Sequence, residues 1–223
     1  MTNKKESIKY FVMAAIILVC LYSNKIADLL IPVFDDIYYG NLVNIFLAIV
    51  SAAIWGIEVA VILFACKKFN IDIFNKKEEK KELSIWQIIV LFVLTVVPML
   101  IISACIGWKV KIVHDLGEKV TLMVLGSNVC QLLSFAVRMI LMIMIIACVQ
   151  RGFEIIVNKD FSKFIPYGGI FAIITFGIID FFVLAVPLRA FYLVMSLLYG
   201  VIYMLADKKF STTWILCYLI YLL

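Results

Sequence analysis

The chain has 223 residues, 65% of them hydrophobic and 16% charged, with a net charge of +5 and a mean hydropathy of +1.12. Soluble domains are roughly 45–50% apolar, so no single globular core holds this excess, and lipid is the solvent expected for much of the surface. There is no basic soluble module to bind nucleic acid. Six cysteines without a CxxC pair, and His114 as the one histidine, imply neither a metal site nor a disulfide framework. No cofactor is expected.

The N-terminus carries Lys4, Lys5 and Lys9 and then turns apolar from Tyr10 to Ser23. A signal peptide would be followed by small residues at a cleavage site. Tyr22-Ser23-Asn24-Lys25 offers none, so this segment is expected to stay as a first helix. Apolar segments fall at 8–31, 41–66, 85–108, 120–150, 167–185, 187–206 and 210–223. A helix needs about 20 residues to cross the hydrocarbon. The expectation is therefore an all-α, polytopic transmembrane helical bundle of seven or eight spans, and whether 120–150 is one helix or two decides the number. Residues 1–119 supply three N-terminal spans with a basic cytoplasmic loop at 67–84, and 120–223 supply the rest of one membrane domain. Within that loop "NKKEEKKE" (75–82) reads as a solvated linker, with Ser84 capping the helix that starts at Ile85.

With seven spans, one side collects Lys4 to Lys9, Lys67 to Lys81, Arg151 to Lys163, Lys208 and Lys209, fourteen of the twenty basic residues, against five on the other. The positive-inside rule then places the N-terminus in the cytoplasm of a cell membrane. Anionic headgroups of the lipid bilayer account for the basic excess.

Polar residues within apolar segments mark interior faces, because charge at bilayer depth is costly. Ser127, Gln131, Ser134 and Arg138 recur at helical spacing and form one stripe. That stripe reads either as the wall of a substrate or peptide cavity or as interhelical hydrogen bonding. Glu58, midway along the second helix, is a candidate partner for Arg138. Asp180 sits in "TFGIIDFF", where nothing local neutralises it.

The fourth apolar segment closes on Gln150-Arg151-Gly152-Phe153-Glu154. Phe176 to Asp180 follow at an interval, then Leu198-Tyr199-Gly200-Val201-Ile202-Tyr203, a turn at Asp207-Lys208-Lys209, and "STTWILCYLIYLL". In order and hydropathy, residues 120–223 resemble the CPBP (Abi) family of type II CAAX prenyl proteases and bacteriocin-processing or immunity proteins. The family carries Glu-Glu-x-x-x-Arg-Gly at a cytoplasmic helix end, a Phe-x-x-x-His helix and a later His-x-x-x-Asn-like pair. The resemblance implies a CPBP-like core in the C-terminal half.

Here Arg151 and Gly152 are kept, while Ile146 and Ala147 stand at the glutamate positions, Asp180 at the first histidine and Tyr218 near the second. A peptidase water needs a base beside it and donors for the oxyanion, and the base position is apolar. The resemblance thus implies a vestigial cleft of Ile146, Ala147, Arg151, Asp180 and Tyr218 on a proteolytically inactive scaffold. Such a scaffold binds or regulates a membrane-associated peptide or protein partner, as in bacteriocin self-immunity. An active protease using Asp180 and Glu154 is the first alternative. The membrane substrate-binding subunit of a small-molecule transporter is the second. An Arg151–Asp180 ion pair is expected, with Glu154 competing for the same guanidinium.

Overall fold

A computed structural model describes residues 2–23, 41–74, 82–105, 122–157, 165–178 and 188–222. Among them every regular element is helical and no strand occurs. The seven helices are α1 (Thr2–Leu21), α2 (Asn41–Phe69), α3 (Ile85–Cys105), α4 (Leu122–Ile156), α5 (Tyr167–Ala172), α6 (Leu188–Leu205) and α7 (Phe210–Leu222). A π-helical turn, Ile173–Gly177, prolongs α5. Two of them, over Ile45–Phe69 in α2 and Val124–Ile156 in α4, are long and apolar enough to cross a membrane.

From Leu122 on, the fourth apolar segment is one continuous helix, and α4 is the axis of the described bundle. From Leu141 to Gln150 every residue is buried. A helix that is apolar on all sides must be enclosed on all sides, and α1, α2, α5, α6 and α7 all pack against it. α1 and α2 thus lie directly on α4.

The first helix starts earlier than the apolar run, at Thr2. The reason is its inward stripe: Ser7, Tyr10, Met13, Ala14, Ile17 and Leu21 are all buried and recur at the three- and four-residue spacing of one helix face. Ser7 Oγ donates to the Gly152 carbonyl at 2.9 Å. The polar first turns are thus held by tertiary contact.

The short α5 crosses its neighbours at glycines. A Cβ on Gly168 would run into the Ile146 carbonyl oxygen, and one on Gly200 into the backbone of Gly169. Close backbone approach of this kind is how helices pack where apolar burial alone gives no preference.

The helix starts and ends meet at one end of the bundle. Ser84 and Gln87 form a capping box, with Ser84 N–H donating to Gln87 Oε1 at 2.8 Å and Gln87 N–H to Ser84 Oγ at 3.3 Å. The Gln87 amide also donates to the Leu205 carbonyl at 3.2 Å, tying the start of α3 to the end of α6. Asn70 ends α2 in a left-handed conformation (φ 54°), and Ile71 N–H returns to the Cys66 carbonyl at 2.8 Å. Phe74 then meets Phe210 edge-on, with ring centroids 4.9 Å apart. Lys67, Lys68, Arg151, Lys208 and Lys209 lie on elements that end here.

The outer faces of α2 and α3 are apolar and exposed. Ile57, Phe64, Ile85, Trp86 and Phe92 each keep well over half of their surface open. Large apolar side chains left open in such number mark a surface that meets a membrane or another protein.

Candidate functional site

Two polar regions lie along α4, one at its end and one halfway along. At the end, Gln150 is 1% exposed and uses both ends of its amide. Its Nε2 donates to Glu154 Oε1 at 3.0 Å and to the Ile165 carbonyl at 3.3 Å, and its Oε1 accepts from Gly168 N–H at 3.2 Å. The side chain therefore ties the start of α5 to the end of α4. Glu154, itself buried, accepts a 2.7 Å ion pair from Lys208 and a longer one, 3.8 Å, from Arg151 one turn away. Arg151 keeps 43% of its side-chain surface open and turns toward the Tyr10 hydroxyl, which also faces the Asp72 backbone. Phe153 sits edge-on to Phe11 at 5.1 Å and stacks on Tyr167 at 4.8 Å.

Lys208 reaches Glu154 from a strained turn. Asp207 and Lys208 both have positive φ, 52° and 62°, conformations costing on the order of 1 kcal/mol or more each for a residue with a Cβ. Lys208 N–H bonds the Tyr203 carbonyl at 2.9 Å, which closes the end of α6. The 2.7 Å contact, shielded by its surroundings, offsets the strain.

Of the residues expected around a vestigial cleft, Tyr218 lies far along α4 from Ile146 and Ala147. Ile146 and Ala147 are 0% and 1% exposed and face other helices, with Gly168 seated on the Ile146 carbonyl. Tyr218 donates to the Leu132 carbonyl at 3.1 Å, about 21 Å along α4 from Ile146 at 1.5 Å per residue. Trp214, stacked on Tyr218, donates to the Ala136 carbonyl at 3.1 Å. The two bonds run four residues forward on α7 and four back on α4, an antiparallel seam. Asp180 lies outside the described residues, and with it the expected Arg151–Asp180 pair. The Arg151–Glu154 contact does form, with Lys208 as the closer partner of that carboxylate.

Halfway along, α2 and α4 diverge. A cleft of about 250 Å³ opens between them, lined by Leu47, Ala48, Ser51, Trp55, Gln131, Ser134 and Phe135. It takes in two residues of the polar stripe read from sequence. Ser134 is buried at its base and Gln131 is exposed at its rim, while Ser127 is buried farther along the same face.

Arg138 does not pair with Glu58. Its guanidinium lies over the rings of Trp55 and Phe135, 5.9 and 5.8 Å from their centroids, whereas Glu58 faces Ser23 and Cys20 of α1. Trp55 stands one turn before Glu58 on α2, with its ring toward Arg138 and the carboxylate toward α1.

On α2 and α4 four side-chain atoms are buried without a hydrogen-bond partner among the described residues: Trp55 Nε1, Glu58 Oε2, Asn128 Nδ2 and Arg138 Nε. Each such group costs about 1–3 kcal/mol, more when charged, and native structures hold few of them. Two ring contacts to Arg138 return only about 1–2 kcal/mol each. Of the four, Trp55 lines the cleft, Asn128 and Arg138 stand beside it on α4, and Glu58 faces α1, so the cleft is flanked by three buried donors without partners among the described residues. Sequence reasoning missed Ser51 and Trp55, since a serine and a tryptophan in an apolar helix are ordinary until a facing helix is known.

No group of three or more His, Cys, Asp and Glu side chains gathers as a metal site among the described residues. Comparison with protein-family models, with curated proteins and with solved structures gives no match for this chain.

Proposed function

We propose that this chain is a multi-pass membrane protein with its basic end in the cytoplasm. On this reading it is a CPBP-like scaffold that has lost the family's peptidase chemistry and binds a peptide or a helix of another membrane protein in the α2–α4 cleft. The observation that carries the proposal is the cleft itself: open at the side, about 250 Å³, and flanked by buried donors that lack partners. Sealed packing around Ile146 and Ala147 supports the loss of chemistry, because the family's base would occupy that spot. The cleft lies on the half of α4 away from the basic end, so a partner approaches from the outer half of the bilayer. Self-immunity against a secreted membrane-active peptide is one form this activity takes.

A photo-reactive residue placed at Gln131, in the cleft, and at Phe92, on the exposed face of α3, tests the proposal in native membranes. A polypeptide adduct at Gln131 and lipid adducts alone at Phe92 are expected. Lipid adducts alone at both positions overturn it. Cleavage of a prenylated or leader peptide by the purified protein overturns the non-catalytic part.

A further inference from the structure

We infer that the cleft recognises a transmembrane helix carrying a carboxylate at bilayer depth, with Arg138 as its charge partner. The inference rests on the cleft reading above and adds the chemistry of the occupant.

Arg138 is held, not free to leave. Trp55 and Phe135 fix the guanidinium from the two helices that form the cleft, and its Nε is buried without a partner. Among the described residues no carboxylate reaches it. Glu6, Asp72, Glu82, Glu154 and Asp207 lie on the elements of the basic end, and Glu58 faces α1. A cation so placed in an apolar surrounding attracts an anion strongly, because little water screens it.

Depth selects the kind of anion. Arg138 stands about 18 Å along α4 from Gln150, in a hydrocarbon layer about 30 Å thick. A phospholipid phosphate stays at the interface, whereas a side chain on a spanning helix reaches the interior. The walls suit a helix as well. Ala48, Ser51 and Ser134 are small, so a backbone approaches closely, and the serines and Gln131 add hydrogen bonds to a carboxylate or to backbone carbonyls.

The test uses the full chain in phosphatidylcholine vesicles with synthetic polyleucine helices as probes. They carry Asp, Asn, Leu or Lys at the midplane, and binding is read by energy transfer and by crosslinking from position 131. The Asp helix is expected to bind at least tenfold more tightly than the Leu helix, with Lys weakest. Arg138→Gln should remove that preference and Arg138→Lys retain part of it. Varying the probe keeps the result decisive even if a variant of the protein folds poorly.

Equal binding of the Asp and Leu helices in the cleft overturns the charge pairing and leaves the cleft reading intact. Absence of crosslinks from every helix overturns both. Displacement of the Asp helix by phosphatidylglycerol assigns the site to a lipid oxyanion and overturns the proposal. So does binding that emerges only in an Asp180→Asn background, which would make this chain's own carboxylate the occupant.

Discussion

The two polar regions of α4 are opposites. At the basic end, Gln150 and Glu154 find partners for their polar atoms within the chain, drawn from α4 itself, the start of α5 and the α6–α7 turn. Around the cleft, Trp55, Asn128 and Arg138 each keep a buried atom unpartnered among the described residues. Both regions bury polar atoms, yet the consequences differ. A completed network fixes which helices meet and in what register. An incomplete one contributes little to the fold and keeps its interaction free energy for something else. On the proposed reading, stability and binding are housed on different halves of one helix.

Substitutions break or sharpen that contrast. The largest loss is expected from Gly168→Ala, which drives a Cβ into the Ile146 carbonyl. Overpacking against backbone costs about 3 kcal/mol at the upper end of its usual range, read as a fall in the detergent unfolding midpoint. Next comes Glu154→Leu. It strands Lys208 and removes one acceptor from Gln150, for a loss of about 2 kcal/mol. That is less than for a fully enclosed pair, because the Lys208 side chain keeps 23% of its surface exposed. Ser84→Ala removes half of the capping box and should lower stability by about 1 kcal/mol. Smallest of all is Arg138→Leu at the cleft. Removing a guanidinium whose Nε is buried without a partner should leave stability nearly unchanged, the lost ring contacts offsetting the relieved burial, while partner binding falls. If Arg138→Leu unfolds the protein and Glu154→Leu does not, the division of labour is the reverse of the one drawn here.

Some of this was legible in the sequence. The long apolar segments locate α2, α3 and α4, and Ser84 announces the start of α3, because hydropathy and capping are local properties. The early start of α1 was hidden: Thr2 to Lys9 is polar, and what keeps it helical is Ser7 and Tyr10 resting on α4. The Glu154–Lys208 pair was equally hidden. Each residue reads as an ordinary interfacial charge until the α6–α7 turn brings them within 2.7 Å. Of the cleft, the α4 stripe could be read from helical spacing, whereas its α2 wall could not. A stripe shows which face is polar, and only the fold shows what stands opposite.

The Ser7–Gly152 hydrogen bond joins residues 145 apart, and that separation has a meaning in time. At roughly 5–20 residues per second, Gly152 emerges some 7–30 s after Ser7. Throughout that interval α1 has made its polar first turns but not the helix against which they close. The polar turns of α1 thus wait for the end of α4 before they are seated.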